Sequence, residues 1–186
     1  MTYISISGQA RHGKDTVAQF LKDYLENHYQ RVLVLHYADL LKHICSTYLG
    51  WNGEKDEAGR TLLQQVGTDI FRAHDPDYWV KEVTRMVEIL YPTQKWDFVI
   101  LADCRFPNEV LGLHVEVVRP GFDNGLSPEQ KTHASETALA ETGLTHTDAR
   151  VTVYNDGDLA KLERTCKDLA YGIVRLFGTT YEAISQ

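Results

Sequence analysis

Within nine residues, Gly8-Gln-Ala-Arg-His-Gly13-Lys14-Asp15-Thr16 sets two glycines, a lysine, a carboxylate and a hydroxyl side by side. Those residue types in that order suit a chain of phosphates. The glycines let main-chain N–H groups turn inward, a helix starting at the lysine adds partial positive charge, and the lysine reaches the outer phosphates. The common form of this loop has Ser or Thr directly after the lysine, where its hydroxyl holds Mg²⁺. Here Asp15 stands in that place and the hydroxyl moves one step on, to Thr16. Mg²⁺ favours carboxylate and water oxygens, so Asp15 can serve it directly or through water. A second carboxylate, Asp103, closes the apolar run Trp96-Asp-Phe-Val-Ile-Leu-Ala102, the form of a Walker B element, and Arg105 follows at once. The alternative for the loop is a glycine-rich turn before an ordinary helix, with Asp15 stabilising the first turn. By itself the loop specifies a nucleoside triphosphate and leaves the reaction open.

The elements that must position these groups are legible from periodicity. Tyr3 to Ser7 is a short strand, and Val17, Phe20, Leu21, Tyr24 and Leu25 recur at helical spacing behind the loop. Arg31 to Tyr37 is an apolar run suited to a strand covered on both faces. Asp39 either caps the helix that follows or faces a ligand, and Leu40, Leu41, Ile44 and Tyr48 ride on that helix. Residues 50–59 read as loop. Residues 60–72 read as helix, with Leu62, Leu63, Val66 and Ile70 inward and Arg60, Gln64 and Gly67 on another face. A further helix starts at Pro76-Asp77, buries Trp79, Val80, Val83, Val87 and Leu90, and stops near Pro92.

Further strands are expected at 96–102, 114–119 and 151–154, with a mobile loop at 120–131 and a short helix at 135–144. Leu159, Leu162, Cys166, Leu169, Ile173 and Leu176 line a last helix. Five strands separated by helices predict a parallel, three-layer α/β sheet with right-handed crossovers. Ligands gather beyond the carboxyl ends of such strands. Gly8, Asp39, Asp103, Arg119 and Asn155 each follow one strand there.

A length of 186 residues fits a single domain, and the net charge of −7 argues against a nucleic-acid polymer as partner. A local basic pocket is compatible with that total. The three cysteines, Cys45, Cys104 and Cys166, are far apart and read as reduced thiols of a cytoplasmic protein. No signal-like opening and no membrane-length apolar run is found, so no membrane partner is expected.

Several motifs together resemble phage-type deoxynucleoside monophosphate kinases, within the P-loop nucleoside monophosphate kinases. They are the GKDT loop, Tyr37-Ala-Asp39-x-x-Lys42, Arg60-x-Leu-Leu-Gln64-x-x-Gly67-Thr-Asp-x-Phe-Arg72, Asp77-Tyr-Trp79-Val, Asp103-Cys-Arg105-Phe-Pro-Asn-Glu109, His133-x-Ser-Glu136 and Asn155-Asp-Gly157. The resemblance spans residues 4 to about 165. It implies a P-loop NTPase fold of sheet order 2-3-1-4-5, a helical acceptor-binding insert at about 39–92 and a lid at about 120–145. The implied reaction moves the γ-phosphoryl group of Mg·ATP to a deoxynucleoside monophosphate. For a phage enzyme the compartment would be the host cytoplasm, and a homodimer is left open.

The resemblance also implies roles. Lys14 would bridge the donor phosphates, Thr16 would touch the α-phosphate, and Asp15 and Asp103 would serve Mg²⁺. Gly8, Arg11, Gly13, Arg119, Asn155 and Gly157 complete the expected ATP site. Asp39, Lys42, Arg60, Gln64, Arg72, Trp79, His133 and Glu136 complete the acceptor site. Lys14, Arg60, Asp103 and Arg105 form the expected catalytic set. Each has a plainer alternative: a salt bridge for Arg60 or Arg72, core packing for Trp79, a pair with Glu109 for Arg105 and a strand-end cap for Asp103. The lid has no arginine between Arg119 and Arg150, which leaves open the cation that completes the site, with Arg11 and Arg119 as the candidates. Two other readings stand beside this one: a P-loop kinase for another phosphorylated metabolite, and a non-catalytic nucleotide switch. A nucleic-acid motor fits the acidic charge and small size poorly.

Overall fold

The computed structural model describes residues 1–141 and 150–178. Five strands, β1 (Thr2–Ser7), β2 (Val32–Leu35), β3 (Phe98–Cys104), β4 (Leu113–Val118) and β5 (Arg150–Tyr154), form one parallel sheet in the order β2-β3-β1-β4-β5. The helices are α1 (Lys14–Glu26), α2 (Ala38–Tyr48), α3 (Glu57–Gln64), α4 (Tyr78–Gln94), α5 (Pro128–Thr132), α6 (Ala134–Glu141) and α7 (Leu159–Phe177). The architecture is the three-layer P-loop α/β fold expected from the sequence.

The central strands are buried on both faces because each face receives a helical layer. On one side Val17, Leu21 and Leu25 of α1 and Leu162, Cys166 and Ile173 of α7 cover Ile4, Ile6, Phe98 and Ile100. On the other, Leu41, Cys45, Trp79, Val83 and Val87 from α2 and α4 cover Val99 and Leu101. Burial at this sheet is complete from Phe98 to Ala102. Cys45, Cys104 and Cys166 are free, buried thiols. Among the described residues no helix is long and apolar enough to cross a membrane.

The structure corrects the expected helix at 60–72. After α3 the chain widens into a π-helical segment, Gln65–Arg72. Wider turns rotate later side chains away from the positions a 3.6-residue period assigns them. Val66 stays buried, but Ile70 is exposed and Arg72 turns inward instead. Gly67 permits the segment to lie against α2, since a Cβ there would meet Leu41 Cδ2 at 2.7 Å.

Other expectations shift at element ends. Pro92 falls inside α4, which continues to Gln94, and Leu90 is exposed. The stretch expected to be loop at 120–131 contains the start of α5, whose N-terminus Ser127 caps by accepting from Gln130 N. Leu159 and Leu176 of α7 face outward. The expected 135–144 helix begins at Ala134, and its last residues lie outside the described residues, as does the end of the expected lid.

Gly8 fixes where the loop leaves β1. Its φ is +142°, and a Cβ would sit 2.3 Å from the carbonyl oxygen of Val117 in β4. Gly8→Ala should therefore lower stability by about 1–3 kcal/mol or more, the scale of forcing a side chain into such backbone. A urea-unfolding midpoint unchanged from wild type would show that the loop does not lie against β4.

Candidate functional site

The loop and α1 meet at Gly13, whose φ of 97° turns the chain so that Lys14 opens the helix. Lys14 is buried, and its Nζ donates to the carbonyl oxygens of Gly8 (2.8 Å) and Gln9 (2.9 Å). Burial, followed by the nearby Arg105 guanidinium, pulls its pKa down to about 8. An ammonium held by two carbonyls can exchange them for phosphate oxygens without a new desolvation cost. Asn155, after β5, secures the loop: its Nδ2 donates to His12 O at 3.0 Å and its N–H to Val118 O at 2.8 Å.

At the end of β2 four charged side chains form a row. His36 Nε2 lies 3.2 Å from Asp15 Oδ1, His36 Nδ1 lies 3.4 Å from Asp39 Oδ2, and Asp39 Oδ1 accepts from Lys42 Nζ at 3.0 Å. The Asp15 hydrogen bond is the main cause of a raised His36 pKa. His36 was missed in the sequence because it merely ends an apolar run. Asp39 does not cap α2. That work falls to Asp103, whose Oδ1 accepts from Tyr37 N (2.7 Å) and Oδ2 from Ala38 N (3.1 Å). A carboxylate there complements the positive end of the helix. Asp103 thus takes the strand-end cap, the plainer of its two expected roles.

Between the strand ends, α2, α3 and α6 lies a cavity of about 790 Å³. Arg11, Lys14, Asp15, Lys42, Arg60, Gln64, Asp103, Arg105 and Glu136 border it, with Arg72 and Trp79 set in its wall. Arg60 donates from Nε to Lys55 O at 2.9 Å. Burial and the neighbouring Arg11 guanidinium lower its pKa, with Arg105 adding to the effect. Arg11, Lys14, Lys42, Arg60 and Arg105, from the loop, the insert and the end of β3, therefore converge on one cavity of an acidic protein.

Arg72 is placed differently from the expectation that it grips a ligand. It is buried, pairs with Glu109, donates to Pro76 O at 2.8 Å and stacks over the Phe106 ring at 4.0 Å. Glu109 entered the sequence reading only at the end of its motif and as an alternative partner for Arg105. Its second oxygen accepts from the N–H groups of Arg105 and Phe106, so it fixes the backbone that presents Arg105. Burial is the main reason its pKa rises to about 7, and Arg72 pulls the other way. Arg105 itself pairs with Glu136, not with Glu109. Trp79 is buried, donates to Gly67 O at 3.0 Å and packs against Phe71 and Tyr78, which makes it core.

Other expected residues lie off this cavity. Gly8, Gly13, Thr16, Asp39, Asn155 and Gly157 do not border it. Arg119 stacks on Phe122 at 4.1 Å, and its N–H meets His12 Nδ1 at 3.2 Å. His133 Nε2 lies 3.7 Å from Asp69 Oδ1, between the residues before α6 and the π-helical segment.

Mg²⁺ fits the carboxylate of Asp15, which is exposed at the cavity's lip. Among the described residues no three or more His, Cys, Asp or Glu side chains are grouped so that they could hold a metal ion. That donor set suits Mg²⁺, which keeps several waters and leans on phosphate oxygens.

No family model and no curated protein matches the chain. Among solved structures, shikimate kinase from Acinetobacter baumannii in complex with shikimate aligns over 95% of this chain and 92% of its own, at 14% identity and TM-score 0.45. The crystal structure of APE1195 aligns over 94% of this chain and 71% of its own, at 13% identity and TM-score 0.25. Neither likeness is close enough to carry function. The fold stands on the sheet order itself.

Two arginines of the insert should behave oppositely. Arg72→Ala leaves Glu109 buried and unpaired, so it should cost about 3–5 kcal/mol of stability. Arg60→Ala should stay within about 0.5 kcal/mol of wild type. Equal losses on chemical denaturation would contradict this division. For His36, an NMR titration should give a midpoint above the ordinary 6.5, and Asp15→Asn should bring it down. Because the folded value is the higher one, the pair's stabilisation is full below 6.5 and is lost as pH rises through that midpoint. A midpoint at or below 6.5 in the wild type would show that the pair does not form in solution.

Proposed function

We propose that the protein is an ATP-dependent kinase that transfers the γ-phosphoryl group of Mg·ATP to a deoxynucleoside 5′-monophosphate, giving ADP and the diphosphate. The observation that carries this reading is the convergence of Lys14, Arg11, Arg60 and Arg105 on one cavity of about 790 Å³ in a chain of net charge −7. A single triphosphate needs the loop and its lysine. Arg60 and Lys42, across the cavity on the insert, supply cations for a second phosphate-bearing guest. The motif resemblance supports a deoxynucleoside monophosphate as that guest.

In this reading the loop amides and Lys14 hold the donor's β- and γ-phosphates. Arg60 and Lys42 bring the acceptor phosphate into line, and Arg105 spans the transferring group. Bound Mg²⁺ would be held by Asp15 and would offset phosphate charge. Asp103 keeps the start of α2 and the end of β2 against the end of β3. An acceptor phosphate is already a nucleophile, so the residues supply position and charge and no strong base. Gln64, at the cavity wall, and Trp79, behind it, shape the space left for the acceptor's nucleoside.

A second reading, a kinase for another phosphorylated small molecule, uses the same cations and differs only in the guest. The protein should be incubated with Mg·ATP and each common nucleoside or deoxynucleoside monophosphate, and ADP and diphosphate quantified. Turnover confined to deoxynucleotides is expected, and Lys14→Ala should lower it by about a hundredfold or more. Acceptor-dependent ADP only with non-nucleotide phosphates would favour the second reading. No acceptor-dependent ADP at all would overturn both.

A further inference from the structure

Glu136 is an acid among cations. It opens α6, one of its oxygens accepts from Arg105, and the other is buried with no hydrogen-bond partner. Its side chain is 11% exposed, and it borders both the large cavity and a neighbouring one of about 210 Å³. It is close enough to Lys14, Arg60 and His12 to favour the protonated form of each. A buried carboxylate oxygen without a partner is costly, so attraction to these cations must hold it there.

The chain around Glu136 closes over the same cations. Arg11 Nη1 donates to Asn124 O at 3.1 Å, Arg105 Nη1 reaches Ser135 O at 3.4 Å, and His133 faces Asp69 on the insert. Segment 119–136 therefore touches the phosphate loop, the end of β3 and the insert with protein groups alone. Phosphates arriving in the cavity would meet Glu136 as a like charge that competes for Arg105.

We propose that Glu136 stands in for the substrate's phosphate: its carboxylate occupies Arg105 in the ligand-free protein, and only a group of greater negative charge displaces it. This rests on the cavity being a phosphate site. The contact then acts as a specificity device. A phosphorylated guest carries enough charge to take Arg105, and an unphosphorylated nucleoside does not. Displacement frees α6 and the segment before it to refold around the guest.

The test uses inorganic tripolyphosphate as probe, with calorimetric binding and hydrogen exchange over residues 127–139. Glu136→Gln keeps the shape and removes the charge. It should bind the probe at least about tenfold more tightly than wild type, the scale of one close charge pair. Its amides over 127–139 should exchange faster before ligand is added, and those of wild type should change exchange on binding. Glu136→Asp, which retains charge but falls short of Arg105, should also bind more tightly, and it serves if the Gln variant folds poorly. Equal or weaker binding by the folded variants, with wild type binding the probe, would overturn the inference and leave the phosphate site standing. Failure of wild type to bind tripolyphosphate would overturn the phosphate site, and the inference with it.

Discussion

Positive charge held against its own repulsion is what the rest of this structure arranges. Lys14, Arg11, Arg60 and Arg105 come from the loop, the insert and the end of β3, and all border one cavity. Left alone such a cluster would push itself apart, since guanidinium groups at short range in a partly buried site repel strongly. Burial is the main reason that Lys14 and Arg60 hold their protons less tightly, and the added push from neighbouring guanidinium groups, Arg105 among them for both, is the trace of that repulsion.

The scaffold holds the cluster by tying the backbone around it to neutral or acidic groups. Glu109 accepts from the N–H groups of Arg105 and Phe106, while Arg72 keeps that carboxylate satisfied from the other side. Asp103 does the same for the start of α2. Asn155 and the close approach of Gly8 to β4 do it for the loop. Asp103, which looks catalytic by position, thus spends both oxygens on main-chain amides, and Glu109 divides its two between main-chain amides and Arg72. Buried ion pairs add little net stability but penalise any rearrangement, which is what a fixed site for mobile substrates needs.

Local pattern carried the fold well. Apolar runs read at 96–102 and 114–119 were enough to place the sheet and its ligand edge, and the strands themselves run Phe98–Cys104 and Leu113–Val118. The loop was readable because its chemistry is contiguous: glycine, glycine, lysine and carboxylate lie within nine residues. Roles that depend on a partner far away in the chain were not readable. Arg72 and Arg60 look alike in the sequence, and the π-helical segment between them turns one into the core and leaves the other on the cavity. His36 carries no local signal, and nothing near Glu109 in the sequence points to its pairing with Arg72. One matters through Asp15, 21 residues back, the other through Arg72, 37 residues away. Helical periodicity assigns a face but never a partner, so such pairs emerge only from packing.

The most direct measurement is a structure with a bisubstrate analogue in which adenosine and a deoxynucleoside are joined through a chain of phosphates. The account predicts the chain running from the amides at Gly8–Gly13 across Lys14 and Arg105 to Arg60, with the deoxynucleoside end against the insert. A phosphate chain bound elsewhere, or both nucleosides on the same side of Lys14, would contradict it.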